Sequence, residues 1–119
     1  MNRRFRLTRS TDFKRVRRYG KSYAHPLVVL YALRSDQSGV RVAVTAGTKL
    51  GKAVQRNRAR RLLREAMRHL LPKTAPGYDL ILIARKPLVE ARFQDALQAL
   101  ITLLKNARLY LNDDRISTE

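Results

Sequence analysis

Apolar residues recur along this chain with two different periods, and the switches between them mark out its elements. Val40, Val42, Val44 and Ala46 alternate with Arg41, Ala43 and Thr45, the period-2 pattern of a half-buried strand. Residues 27–33, directly after Pro26, form a β-branched and aromatic-rich run that predicts a second strand, with the SDQSG stretch at 35–39 as the turn between them. Tyr78–Ala84 (YDLILIA) predicts a strand whose continuous apolar centre is buried on both faces. Residues 21–25 add a short edge strand. Over 53–71 the period lengthens: Ala59, Leu62, Leu63, Ala66, Met67 and Leu70 share one helical face, and Pro72 ends the pattern. A shorter helix is predicted over 11–18, opened by Ser10 or Thr11 and stopped by Gly20, with Phe13 and Val16 on one side. Pro87 opens a last predicted helix, 88–109, whose inner stripe is Phe93, Ala96, Leu97, Leu100, Leu104 and Ala107.

These elements add up to a small single-domain α+β sandwich in αβββαβα order, with helices packed on a sheet of three or four strands. One domain covers residues 1–119; residues 1–9 are expected to be a mobile basic arm and 112–119 a mobile tail. The longest apolar run has seven residues, 27–33, against about 20 for a membrane helix. No apolar segment of the secretory kind follows the basic N-terminus, so the expected location is the cytoplasm, without a membrane partner.

Charge changes the picture most. Lys and Arg number 26 against nine acids, a net charge of +17. Residues 1–21 and 49–68 hold seventeen of the basic residues and two acids, Asp12 and Glu65, so nearly all the excess lies in two segments. Arg outnumbers Lys 19 to 7, which favours forked contacts to phosphate over point-charge attraction. On the 53–71 helix, Arg60, Arg64, Asn57, Arg68 and Arg61 fall opposite the apolar stripe, with Arg56 and Arg58 on its flanks. Like charges at 56/60, 60/64 and 64/68 each cost about 0.2–0.5 kcal/mol. Lys52 and Arg56 also crowd the positive end of the helix dipole. A face that breaks these local rules points to a polyanionic partner.

Other chemistry is sparse. There is no Cys, which excludes disulfide scaffolds and thiol chemistry. His25 and His69 read as surface or packing residues, and Asp12, Asp79 and Glu90 lack the spacing of a catalytic carboxylate pair or metal site. Phe13 and Tyr31 read first as core residues; the alternative is a groove in which unpaired bases stack. No active site of the chain's own is expected.

GTKLGKAVQRNRARRLLRE closely resembles the hallmark segment of the protein subunit of bacterial ribonuclease P: a Lys-bearing loop, a Gly, Ala-Val, then the Arg-Asn-Arg core and further arginines. RLTRSTDFKRVRRYGKSY, VRVAVTAGTK and YDLILIARK also line up, so the resemblance covers about residues 4–109. It implies a protein that binds a large catalytic RNA and assists removal of the 5′ leader from precursor tRNA, by endonucleolytic hydrolysis at Mg²⁺ bound through the RNA. No cofactor bound by the chain alone, no catalytic residue and no DNA partner are implied. Arg56, Asn57, Arg58, Arg60, Arg61 and Arg64 fall on the motif helix that meets the RNA, Arg68 continues that face, and Lys49 and Lys52 fall on the loop before it. Phe13 and Tyr31 fall on the aromatics of the leader cleft. Arg17 stands where many relatives have a second aromatic, and Thr48 where a second lysine is usual. The competing readings are a small basic ribosomal protein and a self-sufficient metal-dependent nuclease, the latter disfavoured by the missing carboxylate or histidine cluster.

Overall fold

In the computed structural model of the protein, which describes residues 5–111, one mixed sheet carries three helices. The order along the chain is α1 (Ser10–Tyr19), β1 (Lys21–Ala24), β2 (Val28–Arg34), β3 (Val40–Thr45), α2 (Ala53–Leu70), β4 (Tyr78–Ala84) and α3 (Phe93–Asn106). In space the strands run β1-β2-β4-β3. β1–β2 and β2–β4 are antiparallel, while β3 and β4 are parallel and joined through α2. The αβββαβα order is therefore as expected, with residues 21–24 completing a four-stranded sheet.

Strand alternation sends Leu30, Val42, Leu80 and Leu82 to one face, where Ala59, Leu63, Met67, Leu100, Leu103 and Leu104 from α2 and α3 close the main core. The opposite face carries Tyr31, Leu33, Ala43, Ile81 and Ile83, and a smaller cluster with Leu7, Phe13 and Val16 forms there under α1. β4 thus has apolar layers on both sides, which is why its run is continuous. Gly20 lets α1 turn into β1 at close range: a Cβ there would lie 2.6 Å from the Val16 carbonyl oxygen and 2.9 Å from that of Ala32.

Three expectations need correction. The 1–9 segment is not wholly a free arm: Leu7 is buried and donates its N–H to the Val42 carbonyl at 2.9 Å, so the chain beside it runs along the β3 edge. Residues 1–4 and the 112–119 tail lie outside the described residues. The last helix begins at Phe93, not Leu88. Pro87 instead opens a 3₁₀ turn, Lys86–Glu90, and the Arg58 guanidinium takes the Val89 and Ala91 carbonyls at 2.7 and 3.0 Å. A continuous helix would need those carbonyls for its own amides. The helix restarts at an extended Arg92, whose N–H is accepted by the Asp95 carboxylate at 3.0 Å.

That helix also ends at Asn106 rather than 109. Arg108 takes φ +61°, Leu109 N–H bonds the Leu104 carbonyl and Arg108 N–H that of Lys105. This is the paired closure of a Schellman motif. It folds Leu109 back into the core.

Candidate nucleic-acid interface

The basic face predicted for α2 exists, and the structure divides it. Ala59, Leu63, Ala66, Met67 and Leu70 point into the core, as their spacing requires; Leu62 is only half-buried. On the outer side, Arg60 reaches the Ala46 carbonyl at the end of β3 at 3.5 Å and bonds the Asn57 side chain. Arg64, one turn on, is half-buried, and its guanidinium is pushed below its ordinary pKa by burial first, then by repulsion from Arg6 and Arg60. Arg6 arrives from the segment paired with β3. Three cations therefore converge along the β3 edge, and among the described residues none is ion-paired with a carboxylate. Holding like charges together in a partly dehydrated place costs free energy that a bound anion would offset.

The other basic positions differ from one another. Arg58 is committed to the 3₁₀ turn, so it braces the fold rather than facing solvent. Arg68 is held by Glu65 through bonds of 2.6 and 3.3 Å, and Arg56 reaches back to the Gly51 carbonyl at 3.3 Å. Asn57 and Arg61 are exposed on α2, and Lys49 and Lys52 on the loop before it. Gly51, at φ +129°, provides the turn between those lysines and the helix.

Phe13 and Tyr31 lie together on the sheet face that α2 and α3 do not cover, in contact with the Leu7–Val16–Ile81 cluster. Both are half-buried, so each is part core and part surface. Their packing bears out a contribution to the core, and the remainder of each ring is open to solvent. Cross-strand register sets Val29 beside Ile83 and Ile83 beside Thr45. All three are half-buried, and two apolar side chains and one threonine form a floor beyond α1. Arg17, one turn after Phe13, lays its guanidinium over the Tyr31 ring at 4.8 Å. A planar cation thus lies over the Tyr31 ring.

Asp79 anchors this arrangement. It is fully buried on the same face, takes a forked contact from Arg41 at 2.9 and 2.8 Å and a further bond from Arg15 of α1. Arg41 is raised above its ordinary pKa chiefly by the hydrogen bond to Asp79. Asp12 completes the network, 3.4 Å from Arg15 and 3.5 Å from Arg41. The carboxylate is a clamp that seats α1, and with it Phe13 and Arg17, over the sheet. His25 accepts the Leu27 N–H at 3.0 Å and His69 packs edge-on against Phe93, so both are packing residues.

Sequence reasoning missed two contributors, Arg6 and Arg17. The first was hidden in a basic arm whose signs of docking were the apolar Phe5 and Leu7. The second was noted as a departure from a pattern, and its place over Tyr31 depends on a residue fourteen positions away. Among the described residues, no helix is long and apolar enough to cross a membrane, and no group of three His, Asp or Glu could hold a metal ion.

Comparison with known proteins gives one answer. The family model described as Ribonuclease P matches residues 1–108. The chain is 44% identical over 110 residues to the ribonuclease P protein component of Chloroflexus aggregans, covering 92% of this chain and 82% of that one. The solved RNase P protein of Staphylococcus aureus superposes with a TM-score of 0.80 at 28% identity, over 89% of this chain and 97% of that one. The Thermotoga maritima RNase P protein superposes with a TM-score of 0.77 at 28% identity, over 85% and 96% of the two chains.

Proposed function

The chain belongs to the ribonuclease P protein family in its bacterial form, and from that premise we propose that it is an RNA-binding subunit with two working surfaces. The first is the row of Arg6, Arg60 and Arg64, with Asn57, Arg61, Lys49 and Lys52 around it, which grips the catalytic RNA through its phosphates. The second is the floor beyond α1, with Phe13, Tyr31 and Arg17, which receives the unpaired 5′ leader of precursor tRNA.

The observation that carries the reading is the convergence of Arg6, Arg60 and Arg64 at the β3 edge, with half-buried Phe13 and Tyr31 on the face of the same sheet that α2 and α3 leave free. Phosphates relieve the repulsion of the first; bases fill the second. A base entering the groove stacks on the Phe13 face or on the Arg17 guanidinium, since planar cations and aromatic rings both serve as stacking plates. The residues do not fit a metal held by the protein, because no ligand cluster exists among those described. In this account Mg²⁺ and the phosphodiester hydrolysis belong to the RNA, and the chain contributes binding and orientation. The alternative of a ribosomal protein loses its support once the family is known.

The test is reconstitution with a bacterial ribonuclease P RNA and a precursor tRNA. The chain should accelerate cleavage at the 5′ end of the mature sequence over RNA alone, and Arg60→Ala with Arg64→Ala should weaken its binding to that RNA. A chain that neither binds the RNA nor changes cleavage would overturn the proposal.

A further inference from the structure

A second aromatic and basic surface lies where the end of α1 meets β1 and the neighbouring ends of β2 and β4. Tyr19, at the end of α1, is 66% exposed, and the Arg18 guanidinium sits 5.5 Å over its ring. Tyr78, at the start of β4, has Arg34 at 5.6 Å over its ring and donating to its hydroxyl at 3.2 Å. Tyr23 and Lys21 on β1 stand between them, and all but Arg18 line one groove of about 320 Å³ closed behind by Leu109. Among the described residues, no carboxylate lines it.

We propose that this groove is a separate binding site for single-stranded RNA. The exposed Tyr19 ring is a stacking plate, with half-buried Tyr23 and Tyr78 beside it, and Lys21, Arg34 and Arg18 supply the charge that follows a phosphate backbone; no base-reading group is needed for such a site. The exposure of Tyr19 has no packing reason, since its ring is not needed to cover the core. Tyr23, Tyr78, Ala107 and Leu109 of the groove's lining pack with the main core, on the face of the sheet opposite Phe13 and Tyr31, and none of Arg6, Arg60 and Arg64 lines it. The site is therefore distinct from the leader groove and the arginine row. It rests on the reading of the chain as an RNA-binding protein only for its choice of nucleic acid over another anion.

The experiment titrates the full chain with a five-nucleotide pyrimidine RNA and follows stoichiometry by calorimetry and the affected residues by NMR. Two bound oligonucleotides per chain are expected. Tyr19→Ala, a change at an exposed ring, should abolish or weaken one of them on the order of 5-fold or more and leave the other intact, while Phe13→Leu should do the converse. A single site, insensitive to Tyr19→Ala, would overturn the second site and leave the proposed function standing. A single site lost only in Tyr19→Ala would uphold it and remove the leader groove instead. No binding to either would overturn both. A polyglutamate peptide of equal length serves as the control: Tyr19-dependent binding as tight as that of the RNA would assign the groove to acidic protein segments and contradict the proposal.

Discussion

Asp79 places a full charge in a sheet face that is otherwise apolar, and its partners come from α1 and β3 rather than from its own neighbourhood. Removing it would leave Arg15 and Arg41 facing each other with only Asp12 to share. Asp79→Ala should cost about 3 kcal/mol, read as a lower midpoint in chemical denaturation. Because those partners lie 64 and 38 residues away, the sequence shows only an acid with no catalytic spacing. The clamp is invisible until the chain is folded. Arg60 and Arg64 behave oppositely. Each sits among like charges, so Arg60→Ala and Arg64→Ala should leave the melting temperature unchanged or slightly raised. The same variants should weaken RNA binding and lower its salt slope by about one each, where each meets one phosphate. Both effects were legible in the spacing of arginines on one helical face.

At the scale of elements, legibility followed locality. β4 matches its predicted bounds residue for residue, since a strand between two apolar layers writes its burial into its own composition. The inner face of α2 was equally readable, although only the structure separates Leu63, fully buried, from half-buried Leu62. Leu63→Ala should cost about 2–5 kcal/mol through the cavity it leaves, and Leu62→Ala should cost less. α3 was misjudged at both ends for non-local reasons. At its start Arg58 captures two carbonyls from 31 and 33 residues away, and at its end a left-handed Arg108 folds the chain back. Glycine tolerates that conformation without the clash of a Cβ. Arg108→Gly should therefore stabilise the protein by about 0.5–1 kcal/mol, measured as a raised melting temperature.

For the whole molecule, charge made the partner class readable before any fold was known. With most of the excess on two segments, affinity for RNA should fall by roughly 10³–10⁵ between about 50 and 200 mM salt if six to ten phosphates are neutralised, less for single strands. The family and the motif helix were recognisable from residues alone. The union of Arg6 with Arg60 and Arg64, and the Arg17 guanidinium on Tyr31, were not, because each joins segments that only the sheet brings together. The central claim is that the sheet face beyond α1, beside Phe13 and Tyr31, receives the leader. Its most direct measurement is the ratio of precursor to mature tRNA affinity in holoenzyme built with Phe13→Leu, a change that keeps apolar packing and removes the aromatic face. The account predicts that precursor binding weakens by about 1 kcal/mol or more while mature tRNA, which lacks the leader, binds as before. A folded Phe13→Leu protein with an unchanged ratio would contradict it.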